Sequence, residues 1–182
     1  MSLLGYETDF GQMECLNLIS RNSFMEKKIG HLGITQLFSE KSDILMMATH
    51  RLLVELESSN HLMQATALQT ISIVCDKDMA ESLAKPVAAL IKKSPSYISK
   101  KACLCGYRII TKDANHIELF ANAVQGVLND KNHGLLLSAI TLALKIIEMD
   151  PERKESFMKY IPHLVPFWAN IDHPVQESDD KL

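Results

Sequence analysis

The sequence predicts an all-α protein in which pairs of helices stack into a solenoid, and three features support this prediction. The 182 residues include only 7 glycines and 6 prolines, fewer turn-forming residues than a protein of many short strands needs. Apolar residues make up 47% of the chain, which is enough for a continuous core. Segments with the same helical pattern of apolar residues also recur at a regular interval.

This interval is about 36 to 37 residues. Three segments, 59–74, 95–110 and 132–147, align at that spacing, and each ends in two adjacent apolar residues. The segment 24–33 (FMEKKIGHLG) also resembles 97–106 (YISKKACLCG) at about twice the interval. A period in the upper thirties with two helices per repeat is typical of armadillo and HEAT repeats, so we predict an armadillo- or HEAT-like α-α superhelix.

Capping residues indicate where the helices begin. Ser94 and Asp150 each precede a proline, a combination that favours a helix start. Asp43, Asp78 and Asp113 are candidate caps or first-turn acids. Together with the apolar periodicity, these signals predict nine helices, near residues 9–20, 23–39, 42–57, 60–75, 78–93, 95–111, 113–129, 132–148 and 151–168.

Prolines within these helices should disturb them. Pro86 is expected to kink or split the helix near 78–93, because proline lacks an N–H and clashes with the preceding turn. Pro162 and Pro166 are expected to bend or end the last helix for the same reason.

The predicted solenoid occupies residues 1–170, and the polar segment 171–182 is predicted to be a disordered tail. The helix near 9–20 is apolar on nearly all sides. Terminal repeats of a solenoid need a polar outer face, so we expect further helices to cover this one, as in a longer solenoid.

Enzymatic and metal-binding motifs are absent from the sequence. It contains no phosphate-binding glycine loop, no HExxH pair and no nucleophile elbow, so no catalytic residue and no cofactor are predicted. Among the four cysteines, Cys103 and Cys105 form a single C-x-C without a second pair, which favours buried reduced thiols over a metal site. The formal net charge of −3 argues against a nucleic-acid partner.

Basic residues are concentrated in one part of the chain. No acidic residue occurs between Ser82 and Lys112, where seven basic residues lie. Two lysine pairs, Lys92-Lys93 and Lys100-Lys101, flank the break at Ser94-Pro95 and are expected to surround one loop. These lysines either form an ordinary solvated surface or bind an anionic partner, most simply a phosphoinositide-bearing membrane.

Some apolar residues do not fit a single buried stripe. If Leu45 and Leu52 line the core, Met47 lies on another side of its helix. Met13 and Leu16 form a second i, i+3 stripe on the first helix. Such residues are either buried between layers of a longer solenoid or part of a surface that docks another protein.

Several ungapped phrases resemble one protein family, the large subunits of clathrin adaptors. The phrases LGY, FGQMECL, EKKIGHLG, SYISKKACLC and LNDKNHG lie at 4–6, 10–16, 26–33, 96–105 and 128–134. They occur in the same order in the trunk of adaptins and are most similar to those of gamma-adaptin. His31 stands where the family usually has tyrosine.

The resemblance implies a role in coated-vesicle traffic. Gamma-adaptin assembles with a beta-adaptin, a medium chain and a small sigma chain in a heterotetramer at the trans-Golgi network and endosomes. An ADP-ribosylation-factor GTPase and phosphatidylinositol 4-phosphate recruit the complex from the cytoplasm to the membrane. The positions that match the GTPase-docking surface of the family are Met13, Leu16 and Met47.

The alternative is another armadillo or HEAT scaffold, such as a transport receptor with a peptide-binding groove. Grooves of that kind usually present repeated tryptophan and asparagine at matched helix positions. Trp168 is the one tryptophan of this chain, which counts against that alternative.

Overall fold

The computed structural model describes residues 9–38 and 44–169. Within these ranges the secondary structure is helical, and no β-strand occurs. The described residues form ten α-helices: α1 Gln12–Ile19, α2 Phe24–Leu37, α3 Leu45–Leu56, α4 His61–Val74, α5 Lys77–Lys93, α6 Ser96–Lys112, α7 Ile117–Gln125, α8 His133–Met149, α9 Lys154–Met158 and α10 Ile161–Ala169. Short 3-10 turns precede α1, α7 and α9. The predicted tail at 171–182 lies outside the described residues.

The helices stack in two layers. Successive helices pack in pairs, α1 with α2, α3 with α4, α5 with α6 and α7 with α8. The even-numbered helices α2, α4, α6 and α8 then lie side by side in one layer, while α3, α5 and α7 form the other. One apolar core runs between the layers from Cys15 to Phe157. This arrangement confirms the predicted all-α solenoid.

Side-chain caps account for several of the helix starts. The side-chain oxygen of Asn60 accepts from Leu62 N (2.9 Å), and that of Asp76 accepts from Met79 N (2.8 Å). Asn132 caps α8 in the same way. Each such bond satisfies a backbone N–H that has no partner within the helix, a contribution of about 1 kcal/mol.

The three prolines differ in their effect on helix boundaries. The helix α5 continues through Pro86 to Lys93, so of the two predicted outcomes, a kink or a split, the split does not occur. Leu83 and Val87 on either side of Pro86 are completely buried, so packing outweighs the local preference of proline. Pro162 is the second residue of α10, where its missing N–H costs little. The predicted ninth helix is therefore divided into α9 and α10.

A glycine lets the first two helices approach closely. A Cβ atom on Gly30 would lie 2.9 Å from the backbone oxygen of Cys15 and 2.9 Å from the backbone nitrogen of Ile19. Only a residue without a side chain fits between α1 and α2 at this point. The first helical pair is thus held in direct backbone contact.

Candidate partner-docking surfaces

The three predicted GTPase-docking residues lie on α1 and α3, two helices that contact each other. Met13 on α1 is 47% exposed and Met47 on α3 is 59% exposed. Leu16 is only 6% exposed and belongs to the core, so the expectation that it lies off the core stripe is wrong. The short helix α1 buries Cys15, Leu16 and Ile19 together, which makes its core stripe wider than the sequence indicated.

The helix α3 carries further exposed apolar side chains besides Met47. Met46 is 78% exposed and Val54, on the same helix, is also exposed. The sequence analysis did not single out Met46. Its signal was the run of apolar residues at 44–48, which is too long to face one core. The exposed surface of α3 therefore contains more apolar area than the predicted residues alone.

The two predicted lysine pairs lie at the turn between α5 and α6. Lys92 and Lys93 form the last turn of α5 and are exposed. Lys100 and Lys101 follow on the second turn of α6 and are half-buried.

The pair on α6 extends toward neighbouring helices. The Nζ atom of Lys101 donates to Gln69 Oε1 on α4 (2.9 Å) and lies 5.6 Å from the centre of the Tyr97 ring. Lys100 reaches the start of α8, where its Cδ and Nζ atoms would be 3.2 Å from a Cβ on Gly134. Lys92 and Lys93 are thus the most exposed of the four lysines.

The even-numbered helices carry a second surface, which the sequence analysis did not identify. We call the solvent-exposed side chains of α2, α4, α6 and α8 the even-helix face. Every one of these helices contributes large exposed apolar residues: Met25, Ile29 and Leu32 on α2, Leu62 and Ile73 on α4, Tyr97, Leu104 and Tyr107 on α6, and Leu137 and Leu144 on α8. Because the four helices lie side by side, this apolar area recurs across the layer.

The charges of these four helices are strongly unequal. Their sequences contain seven lysine and arginine residues but only two acids, Glu26 and Glu148. Glu148 is already paired with Lys145 (3.1 Å), whose Nζ atom lies 6.0 Å from the centre of the Tyr107 ring. Lys27 bonds inward to Glu55, but the other basic residues of these helices still outnumber the acids, so the even-helix face is apolar and more basic than acidic, and it suits a partner with apolar and acidic side chains.

A buried polar cluster joins the first four helices beneath this face. Glu55 of α3 accepts from Lys27 Nζ (2.7 Å) and from His31 Nε2 (2.6 Å), both on α2. The other ring nitrogen of His31 lies 2.9 Å from the hydroxyl of Thr70 on α4. Lys27 also donates to the backbone oxygen of Ile19, at the end of α1 (2.8 Å).

The protonation of Glu55 depends on these partners. Burial alone would raise the pKa of Glu55, but the hydrogen bonds and positive charges of His31 and Lys27 outweigh burial and lower it. Glu55 therefore remains a carboxylate that links α2 to α3, even though its side chain is only 5% exposed.

The cysteines show no sign of reactivity. All four are buried and outside any disulfide, and burial raises the pKa of the Cys103 thiol to about 12. Burial, with a smaller effect from Cys75, also raises the pKa of Cys105 well above its usual value. Thiols of this kind stay protonated and unreactive. Within residues 9–38 and 44–169, no group of three or more cysteine, histidine or acidic side chains is placed to bind a metal ion.

None of the described helices is long and apolar enough to span a bilayer. The described chain is thus a helical scaffold with exposed apolar side chains on α1 and α3, among them Met13 and Met47, and with the even-helix face. These features define an α-solenoid with exposed apolar surfaces.

Comparison with known proteins identifies the family. Residues 1–174 match the adaptin N terminal region, and the chain belongs to this family. It is 36% identical over 163 residues to the AP-1 complex subunit gamma of Dictyostelium discoideum, an alignment that covers 90% of this chain and 18% of that protein. It is 40% identical over 155 residues to the AP-1 complex subunit gamma-1 of Arabidopsis thaliana, covering 85% of this chain and 18% of that protein.

The fold has a structural counterpart in another adaptor. The chain superposes with a TM-score of 0.78 on a homology model of the full-length AP-3 complex in an intermediate open conformation. That match covers 91% of this chain and 29% of the other, at 19% identity, and it supports the solenoid fold. The chain spans about a fifth of the length of its gamma-subunit relatives. Membership of the adaptin family makes it part of a structural adaptor subunit and not an enzyme.

Proposed function

We propose that this chain is a trunk segment of a gamma-type clathrin-adaptor large subunit and acts in vesicle-mediated protein transport between the trans-Golgi network and endosomes. The match to the adaptin N terminal region over residues 1–174 is the observation that carries this proposal. The chain is then a non-catalytic scaffold that is cytoplasmic and peripheral to the membrane. Its partners are a beta-adaptin, a medium chain and a small sigma chain.

The even-helix face is the surface proposed to dock another adaptor subunit, the small sigma chain. Stable interfaces combine an apolar centre with a polar rim, and a few central residues provide most of the binding energy. Leu104 lies on α6, one of the two middle helices of the layer, and is 48% exposed. A charge at Leu104 should therefore weaken docking strongly.

Co-purification of the chain with a small sigma chain tests this proposal. The Leu104→Glu variant should bind at least about tenfold more weakly than the wild-type chain. Val54→Glu is a matched control, because Val54 is 50% exposed but lies on α3 in the other layer. Binding by Leu104→Glu equal to that of the control, with both variants folded by thermal melt, would place the docking surface elsewhere.

The surface around Met13 and Met47 is the proposed site for an ADP-ribosylation-factor GTPase. Both side chains are exposed and apolar, and the flexible thioether of methionine adapts well to a partner. Pulldown of the GTP-locked GTPase should lose signal with Met47→Glu and keep it with Leu104→Glu. The opposite pattern would assign the GTPase to the even-helix face.

The turn between α5 and α6 is the proposed contact with an anionic membrane. Each lysine close to a phosphoinositide surface contributes on the order of 1 kcal/mol. Flotation with liposomes that contain phosphatidylinositol 4-phosphate should therefore decrease when Lys92 and Lys93 are both changed to glutamate, and it should decrease for the wild type as salt is raised. Flotation that is insensitive to both changes contradicts a membrane role for these lysines.

A further inference from the structure

A small groove opens on the even-helix face between α2 and α4. Its volume is about 130 Å³. The buried side chains of His31 and Thr70 line its floor, and Lys28, Thr35, Thr66 and Gln69 line its walls. The side chain of Leu32, which is 59% exposed, adds an apolar edge. The groove thus has a polar interior with one apolar side.

Two hydrogen-bond donors that line this groove have no protein acceptor among the described residues. Gln69 uses its amide oxygen to accept from Lys101 Nζ, so its amide nitrogen, the donor, remains available. Lys28 is exposed and forms no ion pair or hydrogen bond among the described residues. The hydroxyls of Thr35 and Thr66 donate to backbone oxygens of their own helices. The groove therefore offers an ammonium and an amide N–H₂ to a ligand that accepts hydrogen bonds.

Negative charge is missing from the lining of the groove. None of the residues that line it is acidic. The carboxylate of Glu55 bonds to one lining residue, His31, from the far side of its ring. That carboxylate is already bound by Lys27 and His31. The groove thus has the ammonium of Lys28 in its lining and that of Lys101 bonded to Gln69.

We infer that this groove accepts the carboxylate of a glutamate side chain from the protein that docks on the even-helix face. The inference rests on the proposed docking of a second adaptor subunit and adds one specific contact to it. The carboxylate would accept from Lys28 Nζ and from the Gln69 amide, and the methylenes of the glutamate would lie against Leu32. A carboxylate bound by an ammonium and an amide forms charge-assisted hydrogen bonds, which favour an acid over its neutral amide.

Methyl NMR of the complete chain tests this site with a small probe. N-acetyl-glutamate methylamide should shift the methyl signals of Leu32, Thr35 and Thr66 with a Kd on the order of 1 mM, since so small a ligand makes few contacts. The glutamine analogue has the same shape without the charge and should bind at least about fivefold more weakly. Equal shifts from both probes, or shifts only outside the groove, overturn the inference.

Variants at the exposed wall separate this site from general electrostatics. Lys28→Gln and Gln69→Leu should each weaken binding of the glutamate probe by at least about fivefold. Lys77→Gln removes the same charge from the exposed start of α5, in the other layer, and should leave the Kd within about twofold. A Kd that is unchanged in Lys28→Gln, or equally weakened in Lys77→Gln, overturns the inference.

The outcomes also separate this contact from the docking proposal. If the wild-type chain forms a complex with the sigma chain but does not bind the glutamate probe, the carboxylate site is rejected and the docking proposal stands. Probe binding without a complex supports the groove as a carboxylate site and rejects the docking proposal on which its biological role rests.

Discussion

Replacement of Glu55 by glutamine should destabilise the protein strongly, because the two oxygens of this carboxylate accept hydrogen bonds from Lys27 and His31 at the same time. Lys27 and His31 lie 2.7 and 2.6 Å from its two oxygens, and their side chains are 16% and 4% exposed. Glutamine keeps the shape but removes the charge and one acceptor, so its single oxygen can accept from only one of Lys27 and His31. Breaking a buried pair by removing one partner costs about 3–5 kcal/mol.

Thermal and urea unfolding of the wild type and the Glu55→Gln variant provide the measurement. A loss of about 3 kcal/mol should lower the Tm by roughly 6–12 °C for a chain of this size. Glu148→Gln is the matched control, because Glu148 also pairs with a lysine but its side chain is 70% exposed. The control should change stability by roughly 0.5 kcal/mol or less. A loss below about 1 kcal/mol in Glu55→Gln would refute the role assigned to the cluster.

Three further predictions follow from particular contacts. The fold lowers the pKa of Glu55, so the carboxylate contributes its full stabilisation above the unfolded pKa of about 4.3 and loses it as pH falls through the lower folded pKa. Acid titration followed by unfolding should therefore destabilise the wild type more steeply than the Glu55→Gln variant. Gly30→Ala should lower the free energy of urea unfolding by about 2 kcal/mol, because the new methyl would meet the backbone of α1. Gly126→Ala should be nearly neutral, because the nearest atom would be 3.5 Å from the new methyl. Equal effects of the two substitutions would contradict the close approach of α1 and α2. Leu16→Glu should prevent cooperative melting while Met13→Glu should not, and a folded Leu16→Glu variant would show that Leu16 is not a core residue.

The repeat period predicted most of the fold. Helix pairs that recur every 36 to 37 residues leave few packing arrangements, and the boundaries of α2 to α6 follow the predicted ones closely. The last predicted helix is divided into α9 and α10, and the division falls just before Pro162, which was predicted to bend or end that helix. Leu16 was also misplaced, since the width of a buried stripe depends on neighbouring helices that the sequence of one helix does not reveal.

The candidate sites were less predictable. Glu55 is 24 residues from His31, and His31 is 39 residues from Thr70, so local patterns contain no signal for their pairing. The even-helix face appears only when the helices stack, because each contributes just two or three exposed apolar residues. The basic segment at 82–112 was visible in the sequence, but the structure divides it between α5 and α6, one in each layer.

Site-specific photocrosslinking tests the central claim, that the even-helix face docks another adaptor subunit. A photoreactive amino acid at position 104, on α6, should crosslink to a small sigma chain co-purified with this protein. The same amino acid at position 46, where Met46 of α3 is more exposed still, should give little or no crosslink. Crosslinking from position 46 but not from position 104 would contradict the account and assign subunit docking to the opposite layer.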